Sequence, residues 1–358
     1  MLDKIPIILG PTAVGKTEVS LLLAERLGGE IVSADAFQVY RGMDIGTAKP
    51  GTAELSRVSH HLIDILDLHE QYSAARFRAL ALSAIGNIKC KGLTPLVVGG
   101  AGMYLRALVD GLFEAPPSDQ EYRDFLRGEE AEKGPGYLHN LLEKEDPESA
   151  ARIHRNNIKR VIRALEVLKL TGVPISRWQR QWEGRKNERR TNLRQGYGGQ
   201  ASNAAELRSP STVNRQPSTF LPRPPSIPHS PFPIPYSLIG LRRDRKDLYN
   251  RINWRVLEMF EIGLVEETRG LVKKGLMDNR VARQALGYKE VAGYLAGEYN
   301  REEAIKRLST NTRHFAKRQL TWWRRDRRIR WVDIAAEERS GDIVNTILNI
   351  FSEGKNND

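Results

Sequence analysis

The sequence IPIILGPTAVGKT occupies residues 5–17, close to the N-terminus. Its first five residues form an apolar run, which predicts a short buried strand. Residues 10–17 match the pattern G-x-x-x-x-G-K-[ST] at every fixed position. In such a loop the glycines let the backbone wrap an anion, Lys16 adds a point charge and the Thr17 hydroxyl can ligate Mg²⁺. A helix that starts directly after the loop turns its free N–H groups towards the same anion. We therefore predict a site for a di- or triphosphate.

Outward from this loop, strand and helix patterns alternate through the first 110 residues. The predicted strands are 5–9, 30–32 and 95–98, and the predicted helices are 17–27 and 73–89. This rhythm is typical of a parallel sheet covered by helices.

Later parts of the chain follow different patterns. Helical patterns dominate 120–172 and 244–325, and a strand at 330–333 and a helix at 343–351 are expected to close the chain. The segment 185–235 differs from all of these, because nine of the eighteen prolines lie between Pro210 and Pro235 and no periodicity persists. Such a segment buries too little apolar surface to offset its ordering entropy, so we interpret it as a disordered linker.

The composition limits the classes of function. The chain has 358 residues, a net charge of +12 and one cysteine, Cys90, which indicates a reducing compartment. No apolar run is long enough for a membrane span, and the early loop leaves no room for a removable leader, so we expect a cytoplasmic protein. The segment 185–235 holds eight basic and two acidic residues, half of the net charge. The remaining positive charge is informative mainly where it clusters.

The second predicted strand, EIVSAD, ends at Asp35. The carboxyl ends of parallel strands face the ligand crevice, so Asp35 is a candidate general base or Mg²⁺ partner. A turn or helix cap is an equally good interpretation. The third strand ends in the tight turn 99–102 at the same edge. His60 and His61 are adjacent in a strand and therefore point to opposite sides, which favours hydrogen-bonded structural roles over a shared metal.

Three basic elements are candidates for phosphate contacts. Lys159, Arg160 and Arg163 lie outside the apolar stripe of a predicted helix, with few acidic neighbours. The stretch 313–330, RHFAKRQLTWWRRDRRIR, interleaves eight basic residues with aromatic ones, as in surfaces that bind single-stranded RNA. In 241–256, the side chains of Arg251 and Arg255 share a helix face and could clamp a diphosphate or an RNA phosphate.

Taken together, these residues resemble one family, the tRNA dimethylallyltransferases (tRNA isopentenyltransferases). The similar motifs span nearly the whole chain except 185–235 and the last residues. They are GPTAVGKT at 10–17, DAFQVYRGMDIGTAKP at 35–50, HHLIDI at 60–65, VVGGAGMYL at 97–105, RALEVLKLTG at 163–172, QALGYKE at 284–290 and TRHFAKRQLTWWR at 312–324.

The resemblance implies an α/β fold, a P-loop NTPase-like parallel sheet flanked by helices, with an inserted all-helical domain. The implied divisions are a first part of the core at 1–115, the inserted tRNA-binding domain at 116–184, the linker at 185–235, a second part of the core at 236–335 and a C-terminal helix and tail at 336–358. It also implies transfer of a dimethylallyl group from dimethylallyl diphosphate to the exocyclic amine of the adenosine 3′-adjacent to the anticodon. The implied partners are the tRNA anticodon stem-loop and the diphosphate donor, bound with Mg²⁺ by a monomer.

The resemblance also assigns residues to roles. Asp35 would be the base, while Lys16 and Arg251 would stabilise the leaving diphosphate with Mg²⁺ at Thr17. The diphosphate would lie on the loop formed by Gly10, Pro11, Thr12, Ala13, Val14, Gly15, Lys16 and Thr17. The tRNA would be held by Asp35, Ala36, Phe37, Gln38, Ala101, Arg123, Lys159, Arg160, Arg163, Lys317, Arg318, Gln319, Trp322 and Arg324.

Two positions in these motifs depart from the family pattern. Ala36 stands where the family usually has serine, and Ala101 stands where it has threonine or serine, so two hydroxyls near the substrates are missing. Three alternatives remain open: a P-loop small-molecule kinase, a prenyltransferase acting on free adenylate, and a non-catalytic tRNA-binding protein. The basic elements count against the kinase, which needs no RNA surface.

Overall fold

The computed structural model describes residues 4–112, 116, 118–180 and 235–353. The chain divides into two compact units. The first combines Met1–Gly111 with Ile234–Asp358, and the second is Leu112–Pro233. The predicted linker at 185–235 lies outside the described residues, apart from Pro235, and the other predicted domain boundaries stay predictions.

A six-stranded parallel sheet organises the first unit, in the strand order β3-β2-β4-β1-β5-β6. The strands are β1 (Ile5–Leu9), β2 (Gly29–Ala34), β3 (His60–His61), β4 (Thr94–Gly99), β5 (Tyr236–Arg243) and β6 (Arg330–Ile334). This confirms the predicted α/β class with a parallel sheet flanked by helices.

Helices cover both faces of this sheet. Numbered along the whole chain, those before the second unit are α1 (Lys16–Leu27), α2 (Thr52–Arg57), α3 (Ala74–Cys90) and α4 (Gly102–Asp110). Those after it are α9 (Arg245–Glu261), α10 (Leu264–Lys273), α11 (Tyr288–Leu295), α12 (Arg301–Trp323) and α13 (Ser340–Glu353).

The central strand β1 shows how the two faces are built. All five of its residues are buried. Ile7 packs in one apolar cluster with Phe77 of α3, whereas Ile8 packs in another with Leu21 of α1 and Ile347 of α13. Successive side chains of a strand point to opposite faces, so an apolar run without alternation is what a doubly covered strand requires.

Strand β5 was missed by the sequence analysis, although its residues 236–240 pair with all five residues of β1. The sequence pattern indicated a basic element at 241–256 and a helical pattern from residue 244. In the structure the strand continues to Arg243, and Asp244 is the N-cap of α9, where its carboxylate accepts from the Lys246 and Asp247 N–H groups. The sequence pattern did not indicate this strand, because the charged residues Arg242 and Arg243 follow its apolar run directly.

The second unit is helical in its described part, with its own apolar cluster. Its helices are α5 (Gln120–Lys133), α6 (Tyr137–Glu145), α7 (Pro147–Arg152) and α8 (Ile158–Thr171). Within this cluster of helices Glu166 of α8 is completely buried. Its carboxylate accepts two hydrogen bonds from Arg123, at 2.7 and 2.8 Å, one from Arg163 and one from the Asp119 N–H.

None of the helices in the described part of the chain combines the length and the apolar surface that a bilayer span requires. The interpretation of the two histidines is confirmed. His60 Nδ1 lies 2.8 Å from the Val58 carbonyl oxygen, and His61 Nε2 lies 2.6 Å from the Glu30 carboxylate.

The buried carboxylate of Glu166 is expected to contribute to the free energy of unfolding. Burial by itself would raise the Glu166 pKa, but the hydrogen bonds from Arg123 and Arg163 outweigh it and the pKa is lowered. The ionised carboxylate therefore stabilises the fold at neutral pH, and this contribution is lost as the pH falls through the lowered pKa. We expect Glu166→Ala to reduce the free energy of unfolding by about 3–5 kcal/mol at neutral pH, since it leaves two partly buried arginines without their partner.

Urea unfolding of the whole chain, followed by circular dichroism, measures this change. The matched control is Glu148→Ala on α7, which removes the more exposed ion pairs to Arg152 and Arg180. We expect that control to cost less than about 1 kcal/mol. Equal losses in the two variants would contradict the role given to Glu166.

Candidate active site

A cavity of about 490 Å³ lies at the carboxyl ends of β1, β2 and β4. Its walls come from the loop 10–17, the turn that begins at Asp35, the Gly99-Gly100 turn, and helices α9 and α12. This edge is where open parallel sheets bind ligands. The structure therefore brings the phosphate loop into one cavity with Asp35, Phe37, Gln38, Arg318 and Gln319 of the predicted acceptor side.

The glycines of the loop are explained by close approach and by backbone conformation. A Cβ atom on Gly10 would lie 2.7 Å from the Leu241 carbonyl oxygen, so β5 leaves no space for a side chain there. Gly15 adopts a φ of 107°, in the left-handed region, and precedes α1 without any side-chain cap. The first N–H groups of α1 therefore remain available to an anion.

Cationic side chains surround this loop and are held by its carbonyl oxygens. Lys16 Nζ donates to the Gly10 and Pro11 oxygens at 3.0 and 2.8 Å. Arg251 Nε donates to the Ala13 oxygen at 3.0 Å. Arg243, which the sequence analysis did not single out, donates to the Val14 oxygen at 2.9 Å.

The pKa values of these cations reflect their crowding. Burial lowers the pKa of Lys16 to about 8, repulsion from Arg255 adds to the effect, and Asp35 partly opposes it. Burial likewise lowers the pKa values of Arg251 and Arg255, with repulsion from Arg243 adding to the effect at Arg251 and repulsion from Arg251 adding to it at Arg255. Arg255 lines the cavity and makes no hydrogen bond to the part of the chain that the structure describes. Positive charge concentrated in this way favours a multiply charged anion.

The structure is compatible with both roles considered for Asp35 from the sequence, a cap of the turn and a general base. Its Oδ1 accepts from the Phe37 and Gln38 N–H groups at 2.8 and 3.2 Å, which caps the turn after β2. Its Oδ2 makes no hydrogen bond within the described residues, and the side chain lines the cavity. One oxygen is therefore structural while the other is free to accept a proton.

Gln38 was predicted to contact tRNA, and its amide is engaged within the protein. Its Nε2 donates to the Thr47 and Ala48 carbonyl oxygens, and its Oε1 accepts from the Ser33 hydroxyl at 3.0 Å. The side chain thus ties the loop 43–50 to β2. Its neighbours in sequence, Ala36 and Phe37, are half-buried against the core.

Two further residues hold the same loop and were missed by the sequence analysis. The Glu267 carboxylate of α10 accepts from the N–H groups of residues 44–46 and from the Tyr288 hydroxyl. Lys49, whose side chain is almost completely buried, donates to Asp44, Asp64 and the Tyr40 carbonyl oxygen. The motifs at 35–50 and 284–290 contain Lys49 and Tyr288 but carry no local signal for these long-range contacts.

Gln319 of α12 also lies inside this site. Its Oε1 accepts from the Thr12 N–H at 2.9 Å, and its Nε2 donates to the Gly100 carbonyl oxygen at 3.0 Å. Only 8% of the residue is exposed. The next predicted residue, Ala101, begins α4 at the N-cap position and provides no side-chain cap.

The remaining predicted tRNA contacts lie on helix surfaces. Lys317, Arg318 and Arg324 are exposed on α12 or directly after it, and Arg318 also lines the cavity. Trp322 is 42% exposed, whereas Trp323 is 4% exposed and packs in the core, as expected for adjacent helical residues. In the second unit, Lys159 and Arg160 are exposed, while Arg123 and Arg163 are half-buried and paired with Glu166. The tRNA roles of these residues stay predictions.

The cavity also offers oxygen atoms that suit a magnesium ion. Thr17 lines it directly after Lys16, and the Thr17 hydroxyl makes no hydrogen bond to any described residue. The free Asp35 oxygen lies in the same cavity. Oxygen ligands are the kind that Mg²⁺ takes, usually with substrate phosphates completing the site.

The chain is similar to known proteins over most of its length. The sequence profile described as IPP transferase matches residues 38–326. A tRNA dimethylallyltransferase from Geobacillus thermodenitrificans is 43% identical over 340 residues, covering 95% of this chain and 93% of that protein. One from Alkaliphilus oremlandii is 40% identical, with 98% of each chain covered.

Solved structures agree with the sequence relatives. The crystal structure of a tRNA isopentenylpyrophosphate transferase from Bacillus halodurans superposes with a TM-score of 0.63 at 38% identity, covering 99% of this chain and 98% of that one. Because the profile match and these identities extend over nearly the whole chain, the protein belongs to the IPP transferase family.

Proposed function

We propose that this protein transfers a dimethylallyl group from dimethylallyl diphosphate to the exocyclic amine of the adenosine 3′-adjacent to the anticodon of tRNA. The observation that carries the proposal is one cavity containing both a cationic phosphate loop and a carboxylate oxygen without a partner. Its relatives are named tRNA dimethylallyltransferases, which supports the same reaction.

The cavity wall also suits an allyl group. Apolar side chains of α9, α12 and the loop before α11 line it, namely Val256, Met259, Leu286 and Leu308. They would bury the five-carbon chain while the diphosphate lies on the loop. A kinase binding a nucleotide on the same loop would have no use for such a surface beside the phosphates.

The reaction follows from these positions. The bond between the allylic carbon and the diphosphate oxygen breaks, and the leaving diphosphate gains negative charge that Lys16 and Arg251 stabilise. The adenine nitrogen forms the new bond to carbon, and Asp35 Oδ2 accepts the proton that the amine loses. Mg²⁺, held by the Thr17 hydroxyl and the substrate phosphates, would neutralise further charge on the leaving group.

The tRNA partner accounts for the exposed cations. The target base must leave its stack to enter the cavity, which costs roughly a few kcal/mol. Contacts to the anticodon stem-loop would offset that cost. We propose that they come from Lys159 and Arg160 in the second unit and from Lys317, Arg318 and Arg324 in the first.

The direct test is transfer of labelled dimethylallyl from its diphosphate to unmodified tRNA with adenosine at the target position, in the presence of Mg²⁺. Free AMP serves as a second acceptor, and ATP consumption is followed in parallel. We expect label on tRNA and none on AMP. ATP consumption without transfer of label would instead support a kinase, and tRNA binding without transfer would support a non-catalytic protein.

Asp35 can be tested with a nearly isosteric change. Asp35→Asn keeps an oxygen that accepts from the Phe37 and Gln38 N–H groups but removes the proton acceptor. We expect kcat to fall roughly 10²–10⁴-fold, the usual loss for a general base. The dissociation constant for tRNA should change less than about threefold, because the capped turn is kept. Near-normal turnover by this variant would exclude Asp35 as the base.

The lowered pKa of Lys16 predicts that the affinity for the diphosphate donor depends on pH. Burial lowers the Lys16 pKa to about 8. A bound diphosphate raises that pKa, so binding near or above this pH takes up a proton and affinity falls as the pH rises. The decline should approach about tenfold per pH unit once the free lysine is neutral.

Calorimetry of dimethylallyl diphosphate binding in two buffers of different ionisation enthalpy measures this proton uptake. Lys16→Arg is the matched control, because its guanidinium stays charged throughout the range. We expect no uptake in that variant. Constant affinity of the unaltered protein up to about pH 9.5 would contradict the lowered pKa.

A further inference from the structure

Gln319 connects two segments of the cavity wall that are far apart in sequence. Its side chain extends from α12 and joins the Thr12 N–H to the Gly100 carbonyl oxygen. Both polar atoms of the amide are used by these two bonds. A Cβ on Gly100 would lie 2.3 Å from the Gln319 Nε2, so the chain has no room for a side chain at that turn.

The bond to Thr12 fixes the first part of the phosphate loop. Thr12 follows the two residues whose carbonyl oxygens hold the Lys16 ammonium, Gly10 and Pro11. Without an acceptor, the Thr12 N–H would be a half-buried donor lacking a partner, which costs free energy. Gln319 therefore sets the path of the backbone that positions Lys16.

The other side chains at the end of α12 differ in exposure. Lys317 and Arg318 are exposed, whereas Gln319 is buried and each polar atom of its amide already has a partner within the protein. Any further contact by Gln319 is limited to its second N–H and to the second lone pair of its oxygen.

We propose that Gln319 is a positioning residue for the phosphate loop and acts on the affinity for the diphosphate rather than on contact with tRNA. This inference deepens the proposed function and rests on it for the identity of the donor. The phosphate end of the donor can be tested alone, with inorganic pyrophosphate as the probe.

The experiment compares Gln319→Met with Lys317→Met, a matched change on the exposed face of the same helix. Pyrophosphate binding is measured by calorimetry with Mg²⁺ and without tRNA, tRNA binding by filter retention, and steady-state KM for each substrate. We expect Gln319→Met to weaken pyrophosphate binding and raise the donor KM by about tenfold or more, with tRNA affinity within about twofold. Lys317→Met should show the reverse pattern, with weaker tRNA binding and unchanged pyrophosphate affinity.

Weaker tRNA binding by Gln319→Met with unchanged pyrophosphate binding would overturn the proposal, as would equal losses of both or no loss of either. If Gln319→Met does not fold, Gln319→Asn decides in the same assays, because its amide is one methylene shorter and cannot bond to both the Thr12 N–H and the Gly100 carbonyl oxygen. The same donor-side loss in Gln319→Asn supports the proposal, and normal pyrophosphate binding overturns it. Pyrophosphate binding without transfer to tRNA would reject the proposed function alone and leave this test intact.

Discussion

The phosphate loop must hold several cations close together against their mutual repulsion. Its carbonyl oxygens solve this problem, since those of residues 10, 11, 13 and 14 accept from Lys16, Arg251 and Arg243. Ala13 even adopts a left-handed φ of 64° in this arrangement. The carbonyl oxygens of the loop are thus occupied by cations, while the N–H groups at the start of α1 have no side-chain cap and suit an anion.

The parts of this site that could be predicted are those with local causes. The phosphate loop depends on a motif that lies between a strand and a helix, and both are present. The buried face of α9 could likewise be predicted, because Leu248, Ile252 and Val256 recur at helical spacing in the sequence. All three are buried in the structure. Each of these features depends on residues that are close in sequence.

The parts that could not be predicted depend on distant partners. Glu267 meets the loop near Ile45 across 222 positions, and Gln319 meets Thr12 across 307. A lone glutamate or glutamine in a helical pattern is more often solvated, so nothing in the sequence indicates such a bond. The free oxygen of Asp35 also depends on the fold, because only the turn geometry shows which oxygen the backbone occupies.

In the second unit, too, cationic side chains are held by polar groups of the protein. Arg123 and Arg163 converge on Glu166, which leaves each guanidinium partly exposed but fixed in direction. A positioned arginine loses less side-chain entropy when it meets a phosphate than a free one does. In both units, therefore, polar groups of the protein itself fix the direction of cationic side chains.

The strand order has a consequence for how the protein is made. β1 is synthesised well before β5, so its edge facing β5 stays unpaired until residues 236–243 have emerged. Arg243 and Arg251, which complete the phosphate loop, follow later still. Until these residues have been made, a nascent chain therefore carries the phosphate loop without the arginines that contact it. The helical unit encoded between the two strands separates them in time as well as in sequence. During that interval β1 has an exposed edge, which is prone to wrong pairing.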